Sequence, residues 1–242
     1  MNSRMIIDRF PKKRIPLSEE YQKIYYQHYL NSREGRSKIT SLVKKMESWM
    51  HKKVAEDVVS ENKTTATLEI GAGTLNHLKY EPLQNKYDIV EPFDELYKHS
   101  PLVNRIDNIY KDINDIQGIQ YDRIISIATF EHVIDLPRLV AKAGSLLDKK
   151  CGKLRVAIPN EGTVLWNIGT KLTGISFRKS YGLNYQTFMQ YEHLNSADEI
   201  EQVLAFFFVT LKYSIFGINK QWAFYRFYEC SNVIEENVLQ FL

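Results

Sequence analysis

The sequence predicts an α/β protein with a doubly wound, seven-stranded sheet, and two patterns along the chain support this prediction. From Thr64, short apolar runs alternate with helical stretches, which is typical of βαβ units that build a parallel sheet. Near the C-terminus, two β-rich runs flank Gly217-Ile218-Asn219-Lys220. A connection of this length with Gly and Asn predicts an antiparallel hairpin rather than another crossover.

Residues 1–62 predict an N-terminal helical cap, ahead of a catalytic domain at 63–242. Ser18, followed by two glutamates, predicts an N-cap and a helix through Leu30. From Ile39 to Val58, apolar residues recur at three- and four-residue steps, which predicts an amphipathic helix. The cap carries a net charge of +5 and the rest of the chain −2. This excess either attracts phosphate-bearing partners or forms a solvated face.

The remaining elements follow from apolar runs and capping residues. The predicted strands are Ala66–Ile70, Tyr87–Val90, Ile106–Tyr110, Ile124–Ile127 and Leu154–Ile158, then Phe207–Phe216 and Gln221–Glu229 in the hairpin. One helix is predicted to begin at Leu136 and to end near Gly152, and another, after a cap, runs from Ser196 to Leu204. Residues 161–191 lack clear periodicity, which predicts a long inserted loop that serves the substrate.

Composition argues against several classes of protein. With 44% hydrophobic and 25% charged residues, the chain is typical of a soluble domain. The longest apolar run, Val203 to Leu211, is too short to span a bilayer. Two distant cysteines without a Cys/His cluster argue against a zinc site and an oxidising compartment. No secretory signal is apparent, so a cytoplasmic location is expected.

A glycine-rich turn, Gly71-Ala72-Gly73, follows the first predicted strand and precedes a predicted helix. Glycines allow backbone to approach a ligand closely, and a helix N-terminus offers free N–H groups. Glu91 ends the second strand, twenty residues after Gly71, where an acid would accept hydrogen bonds from a ribose. Asn76 stands where a nicotinamide site favours a third glycine. The pattern therefore indicates a nucleotide-type site, with a plain tight βα turn as the alternative.

With its neighbouring motifs, the segment from Thr65 to Asn160 resembles the class I S-adenosylmethionine-dependent methyltransferases. The resemblance rests on Glu69–Gly73, Tyr87–Pro92, and Tyr121–Ser126 followed by Phe130–Val133. Glu192-His193-Leu194-Asn195 resembles a segment of the small-molecule and glycan-modifying branch, and the hairpin matches the tail of this Rossmann-like fold. Leu75 replaces the third motif glycine, and Lys150-Cys151-Gly152 replaces the usual Pro-Gly-Gly.

The resemblance implies S-adenosyl-L-methionine as the cofactor and assigns residues to it. Gly71, Ala72 and Gly73 would lie under its methionine and ribose, and Glu69 would orient that loop or the amino group. Glu91 would bind both ribose hydroxyls. The other implied cofactor-binding residues are Pro92, next to Glu91, Asp112 and Ile113 at the adenine, and Ala128, Thr129 and Phe130 on the methionine side. No metal is implied.

Methyl transfer to a hydroxyl benefits from a base that removes its proton. His132 is the first candidate because imidazole titrates near neutral pH, and His193 is the second. Glu131 would orient either ring, and a structural histidine is the alternative in both cases. The helical or polar contexts of the remaining histidines predict surface exposure; these are His28, His51, His77 and His99.

Aromatic and basic side chains after Trp166 suit a sugar that bears phosphate or a nucleotide. The candidates for acceptor binding are Arg178, Tyr181, Tyr185 and Tyr191, with Tyr25 from the first helix. We therefore expect O-methylation of a saccharide, nucleotide sugar or small metabolite in surface-glycan biosynthesis. The alternatives are N-methylation, an RNA or protein methyltransferase, and an inactive cofactor-binding protein. Nucleic acid is disfavoured because Lys12-Lys13-Arg14 is the only basic run. The oligomeric state, monomer or homodimer, stays open.

Overall fold

The computed structural model describes residues 6–24, 41–61, 65–83 and 85–242. Seven strands form one sheet in the order β3-β2-β1-β4-β5-β7-β6. The strands are β1 (Ala66–Ile70), β2 (Lys86–Val90), β3 (Asn108–Tyr110), β4 (Arg123–Ile127), β5 (Lys153–Pro159), β6 (Phe208–Gly217) and β7 (Ala223–Val233). The α-helices given by range are α1 (Ser41–Glu61), α2 (Leu136–Leu146), α3 (Val164–Tyr181), α4 (Tyr185–Glu192), α5 (Ala197–Phe207) and α6 (Glu235–Leu239).

The sheet confirms the predicted doubly wound architecture with its C-terminal hairpin. β1 pairs in parallel with both β2 and β4, and β7 pairs antiparallel with both β5 and β6. The strand order therefore reverses between β1 and β4. In open α/β sheets, ligands bind at the carboxyl ends of the strands at such a switch point. The topology thus directs attention to the turns after β1 and β4.

Helices cover both faces of the sheet. On one face, α2 and α5 build the larger core with buried residues such as Val140 and Leu204. Ser196 caps α5 as predicted, and it forms a capping box with Glu199. On the other face lies α1, with Met50 and Val54 buried. The predicted amphipathic helix is therefore confirmed, and it packs on the sheet, while the domain boundary at 62/63 stays a prediction.

Two arginines of the sheet hold α1 by its backbone. Arg123 of β4 and Arg155 of β5 donate hydrogen bonds to the carbonyl of Val54 at 3.0 and 2.9 Å. Asp57, one turn further along α1, pairs with both guanidinium groups. These buried charges are partnered, which buried ions require. Together they fix the position of α1 along the sheet.

The helix predicted after Gly73 is absent, and that prediction is wrong. A single 3₁₀ turn, Asn76–Lys79, takes its place. Leu75 has a φ of 62°, in the left-handed region, so a right-handed helix cannot run through it. Its side chain is fully buried against the residues that α1 contributes. On this face α1 packs on β4, β5 and β7, and short turns follow β1 and β2.

The segment 161–191 is helical, and the predicted loop is wrong. It forms α3 and α4, separated where Gly182 takes a left-handed φ of 71° and Asn184 caps the next helix. Their buried residues Phe177, Leu183 and Phe188 form a small core of their own. Frequent Gly, Thr and aromatic residues obscure the helical period in the sequence. The two helices are stabilised by tertiary packing and not by intrinsic helix propensity.

The remaining differences are at element ends. β3 is shorter than predicted, α2 ends at Leu146 instead of near Gly152, and Phe207 belongs to α5. β7 continues to Val233 because its last residues pair with β6. Ser18 does precede helical residues, 19–24, and the rest of that predicted helix lies outside the described residues. Among the helices of the described ranges, none combines the length and apolar character that a bilayer span requires.

Candidate active site

The turns after β1 and β4 meet at the switch point. Gly71 has a φ of 74°, and a Cβ added to it would overlap the side chain of Thr129. Ala128, which follows β4, also has a positive φ, 49°, that side-chain-bearing residues rarely adopt. Strained backbone of this kind concentrates at ligand sites. Gly71 is therefore required by its surroundings, as the motif predicts.

Glu91 ties the end of β2 to the glycine turn. One carboxylate oxygen accepts a hydrogen bond from the backbone N–H of Gly73 at 2.8 Å, and the other from that of Phe93 at 3.1 Å. The residue is buried, with 4% exposed. Each carboxylate oxygen keeps a second lone pair. Glu91 is thus a fixed acceptor pair at the carboxyl edge of the sheet.

A cavity of about 330 Å³, the smaller cavity, lies above these turns. The predicted site residues that line it are Glu69, Gly71, Ala72, Gly73, Ala128, Glu131, His132 and His193. The other predicted cofactor residues lie outside its lining: Glu91, Pro92, Asp112, Ile113, Thr129 and Phe130. Asp112 caps the turn that follows β3, and Ile113 and Phe130 are buried in the core.

The smaller cavity has an acidic wall. Glu47, Glu69 and Glu131 line it, and no Lys or Arg stands among the described residues of its lining. Glu69 accepts a hydrogen bond from the hydroxyl of Tyr87 at 2.7 Å. Burial raises the pKa of Glu69 to about 7, against the opposing effects of His77 and Tyr87. A cation placed in the cavity would favour the ionised form of this carboxyl.

A second cavity of about 960 Å³, the larger cavity, lies between α3 and α4 and shares Trp166 and His193 with the smaller one. Arg178 and Tyr185 line it, as the sequence predicts for acceptor-binding residues. Tyr181 and Tyr191 lie outside the lining: Tyr181 packs on Phe177, and Tyr191 faces Arg14. Tyr25 falls outside the described residues.

Sequence reasoning missed much of the larger cavity. Tyr21 lines this cavity, and one face of α3 contributes five further residues: Asn167, Thr170, Lys171, Gly174 and Arg178. Their three- and four-residue spacing is the signal that identifies them, once the segment is known to be helical. The prediction of a loop concealed it.

Two Glu–His pairs meet at the junction of the cavities. His193 Nδ1 bonds to the carboxylate of Glu161. His132 Nδ1 lies 2.9 Å from the carbonyl oxygen of Glu192 and 3.3 Å from its carboxylate. The two imidazole rings contact edge to face, with centroids 4.8 Å apart. Glu131, buried below them, has a carboxylate oxygen 3.7 Å from His132 Nε2.

The surroundings of His193 favour its protonated form. Burial opposes the charge, but the hydrogen bond and negative charge of Glu161, with the charges of Glu131 and Glu192, raise the pKa of His193 above its usual value. The side chain has access to both cavities. His193 can therefore exchange a proton with a group that lies between the two cavities.

The segment Glu192–Asn195 is fastened to the turn after β4. Buried Asn195 donates through its side-chain nitrogen to the carbonyls of Phe130 and Val133 at 2.8 and 2.7 Å. The carbonyl of Glu131 accepts from the backbone N–H groups of Leu194 and Asn195 at 2.7 and 3.1 Å. These bonds hold His132 and His193 in their shared arrangement.

The basic run at 12–14 reinforces the same junction. Arg14 donates to the carbonyls of Tyr191 and His132, both at 2.7 Å. Lys12 donates to the carbonyl of Leu194 and to Glu199, also at 2.7 Å. Two of the three basic residues therefore bind the protein itself. The run does not form a free basic patch.

His51 and His77 correct another prediction, because the structure buries both. They are 8% and 1% exposed, respectively, and both line the smaller cavity. His51 follows Met50 on the buried side of α1, and His77 lies in the 3₁₀ turn after the glycine turn. The position of His51 next to the apolar stripe of α1 is the signal that sequence reasoning passed over.

The strand order, with cavities at the carboxyl ends of the strands beside the switch point, is that of the class I methyltransferase fold. No protein-family model and no curated protein matches the sequence. The SAH-bound magnesium protoporphyrin IX methyltransferase of Synechocystis PCC 6803 is similar to this chain over 86% of it and 100% of that protein, with 12% identity and a TM-score of 0.58.

Two other solved structures share the fold. The plantazolicin methyltransferase BpumL, in complex with SAH, matches 95% of each chain at 14% identity and a TM-score of 0.59. An O-methyltransferase family protein from Burkholderia thailandensis matches 95% of this chain and 69% of its own, at 13% identity and a TM-score of 0.55. At these identities the comparisons establish the fold.

Proposed function

We propose that this protein is an S-adenosylmethionine-dependent methyltransferase that methylates an oxygen of a saccharide, nucleotide sugar or small metabolite. The observation that carries the proposal is the pair of cavities at the carboxyl edge of the sheet, which share Trp166 and His193. The smaller cavity takes the cofactor and the larger cavity takes the acceptor. A cytoplasmic location and a role in polysaccharide biosynthesis are part of the proposal.

The smaller cavity suits the chemistry of this cofactor. Its sulfonium and ammonium groups are cations, and the wall carries Glu47, Glu69 and Glu131 without Lys or Arg among the described lining. Trp166 and Tyr225 add aromatic faces, which attract cations. Gly71 leaves the turn without a side chain. When bound, S-adenosylmethionine supplies an electrophilic methyl group.

The motif residues outside the cavity lining keep their proposed roles by position. The free lone pairs of Glu91 accept hydrogen bonds from the ribose hydroxyls, beside Pro92. Asp112 and Ile113, after β3, serve the adenine end, and the turn Ala128–Phe130 serves the methionine end. The SAH-bound solved structures that share this fold support the same cofactor.

Among the candidate bases, the geometry favours His193 over His132. His193 lines both cavities, whereas His132 lines the smaller one alone. Because Nδ1 of His193 faces Glu161, its Nε2 is the nitrogen that takes the proton of an acceptor hydroxyl. His132 contacts the ring of His193 edge to face, and the negative charge of Glu131 stabilises the protonated ring.

The larger cavity suits a polar acceptor that carries an anionic group. Lys171 and Arg178 lie on one face of α3, and Trp166 and Tyr185 offer aromatic surfaces on which a sugar ring can stack. Amide and hydroxyl side chains fill the rest of the wall with hydrogen-bonding groups: Asn167, Thr170, Asn184, Gln186 and Gln190. A polar cavity of this size favours a small molecule over a polynucleotide, which is bound along a basic groove.

The proposal is tested with methyl-labelled S-adenosylmethionine and separate pools of nucleotide sugars, sugar phosphates, RNA and protein. We expect label in a sugar pool and a raised KM for the acceptor in Arg178→Ala. Lys179→Ala is the matched control, since Lys179 is exposed and outside the cavity lining. Label in RNA or protein alone would favour the other enzyme classes. Cofactor binding without label in any pool would favour the alternative of an inactive cofactor-binding protein.

A further inference from the structure

Two buried histidines form a contact pair at the smaller cavity, away from the junction. Nδ1 of His51 lies 3.2 Å from Nδ1 of His77, and the ring centroids lie 5.4 Å apart. Both residues line the smaller cavity, and neither lines the larger one. A ligand atom that touches His51 therefore belongs to the occupant of the smaller cavity.

The pair is connected to a buried ion pair behind it. Nε2 of His77 lies 2.7 Å from Glu81, which also accepts two hydrogen bonds from Arg123 at 2.8 and 3.0 Å. Burial opposes the ionisation of Glu81, but the bonds and charges of His77 and Arg123 lower its pKa below the usual value. An ionised carboxylate only accepts hydrogen bonds. His77 must therefore donate from Nε2.

This constraint passes along the chain to the cavity. When His77 carries a single proton, on Nε2, it accepts at Nδ1, and His51 donates from its own Nδ1. Nε2 of His51 then carries a lone pair. Burial lowers the pKa of His51 to about 3, so that the His51 ring stays neutral. His51 thus offers a hydrogen-bond acceptor, in a wall that also holds Glu47 and Glu69.

We propose that His51 binds the ammonium group at the amino-acid end of S-adenosylmethionine through Nε2, together with Glu69. The proposal rests on the proposed function. The acceptors His51 and Glu69, on a wall free of Lys and Arg among its described residues, match an ammonium better than a carboxylate. His77 and Glu81 are positioning residues, because they act by fixing the tautomer of His51.

Calorimetry with three probes tests this contact. S-adenosylhomocysteine carries both the ammonium and the carboxylate, its decarboxylated analogue keeps the amine, and 5′-methylthioadenosine lacks the amino-acid end. We expect His51→Ala to weaken binding of the first two by about tenfold or more and to leave the third unchanged. His51→Gln keeps an acceptor and should restore part of the affinity. His99→Ala, at an exposed position, is the control.

Each contrary outcome has a distinct meaning. Equal weakening of all three probes would show that His51 only holds α1 in place, and loss for S-adenosylhomocysteine alone would assign the contact to the carboxylate; both overturn the inference. So would unchanged binding in His51→Ala. If the unaltered protein binds none of the probes, the proposed function fails instead.

The positioning role has a readout of its own. In ¹⁵N NMR, His51 should carry its proton on Nδ1, and Glu81→Gln should mix the two tautomers because an amide both donates and accepts. S-adenosylhomocysteine should bind Glu81→Gln more weakly, with 5′-methylthioadenosine again unchanged. A proton on Nε2 of His51 in the unaltered protein would overturn the assignment.

Discussion

At the scale of single residues, Gly71 shows how a motif position is enforced by its neighbours. Gly71→Ala should lower both the free energy of unfolding and the affinity for S-adenosylhomocysteine, since the new methyl group would overlap Thr129. Gly118→Ala is the matched control, because Gly118 has a similar φ of 68° but open space around it. The control should cost about 1 kcal/mol from backbone strain alone. Denaturant titration and calorimetry check both variants, and equal effects would contradict the steric account.

Leu75 shows the opposite case, where a side chain occupies a glycine conformation. Leu75→Gly would relieve about 1 kcal/mol of left-handed strain but remove a fully buried side chain, which costs about 3 kcal/mol or more. We therefore expect a net loss of about 2 kcal/mol in the free energy of unfolding. A gain in stability, measured by urea titration, would show that the strain outweighs the packing.

The pKa of His193 is a property that can be tested without knowing the acceptor. Because Glu161 raises this pKa, Glu161→Gln should move the NMR titration midpoint of His193 to lower pH. The stabilisation from the pair is complete below the unfolded-state pKa of histidine and is lost as pH rises through the folded-state pKa. Glu161→Gln should therefore destabilise the protein more at pH 5 than at pH 9. An unchanged midpoint would contradict the pairing.

At the scale of elements, the irregular segment at 11–17 binds both the turn after β4 and residues 191–194. Arg14→Ala should lower the free energy of unfolding by about 2 kcal/mol, because two carbonyls lose a charged donor. Lys13→Ala, at the exposed neighbouring position, should change it by less than about 0.5 kcal/mol. Thermal unfolding measures both. Equal effects would indicate that charge, and not the Arg14 bonds, matters here.

The buried parallel strands could be predicted because they are short apolar runs between turns. β1 has the predicted bounds, Ala66–Ile70. The helices α3 and α4 could not be predicted, because they are stabilised by a local core that includes Tyr21, which is distant in sequence. The helix expected after Gly73 failed because the conformation of Leu75 is set by packing against residues of α1. Local patterns do not contain such contacts.

The candidate site likewise contains some residues that could be predicted from the sequence and others that could not. Motif positions such as Gly71 and Glu91 could be predicted because their roles depend on local backbone geometry after a strand. The wall residues from α1 and α3, such as His51 and Lys171, could not, because only the tertiary fold brings these helices to the carboxyl edge. The basic run at 12–14 was ambiguous from sequence, and the structure shows Lys12 and Arg14 bound within the protein.

At the scale of the whole molecule, charge is sorted between the two cavities. The smaller cavity is acidic, whereas the larger one holds Lys171 and Arg178 besides Glu161, which pairs with His193. A cationic cofactor and an anionic acceptor would therefore each enter the cavity of opposite charge and meet at His193. The net charge of +3 does not reveal this arrangement, because it averages over the whole surface.

Calorimetric titration with S-adenosylhomocysteine tests the central claim most directly. We predict that the protein binds one equivalent, that Glu91→Ala weakens binding by about tenfold or more through loss of a charged acceptor for the ribose, and that Glu95→Ala, at an exposed position nearby, leaves it unchanged. Absence of binding to the unaltered protein, or equal affinity in Glu91→Ala, would contradict the account.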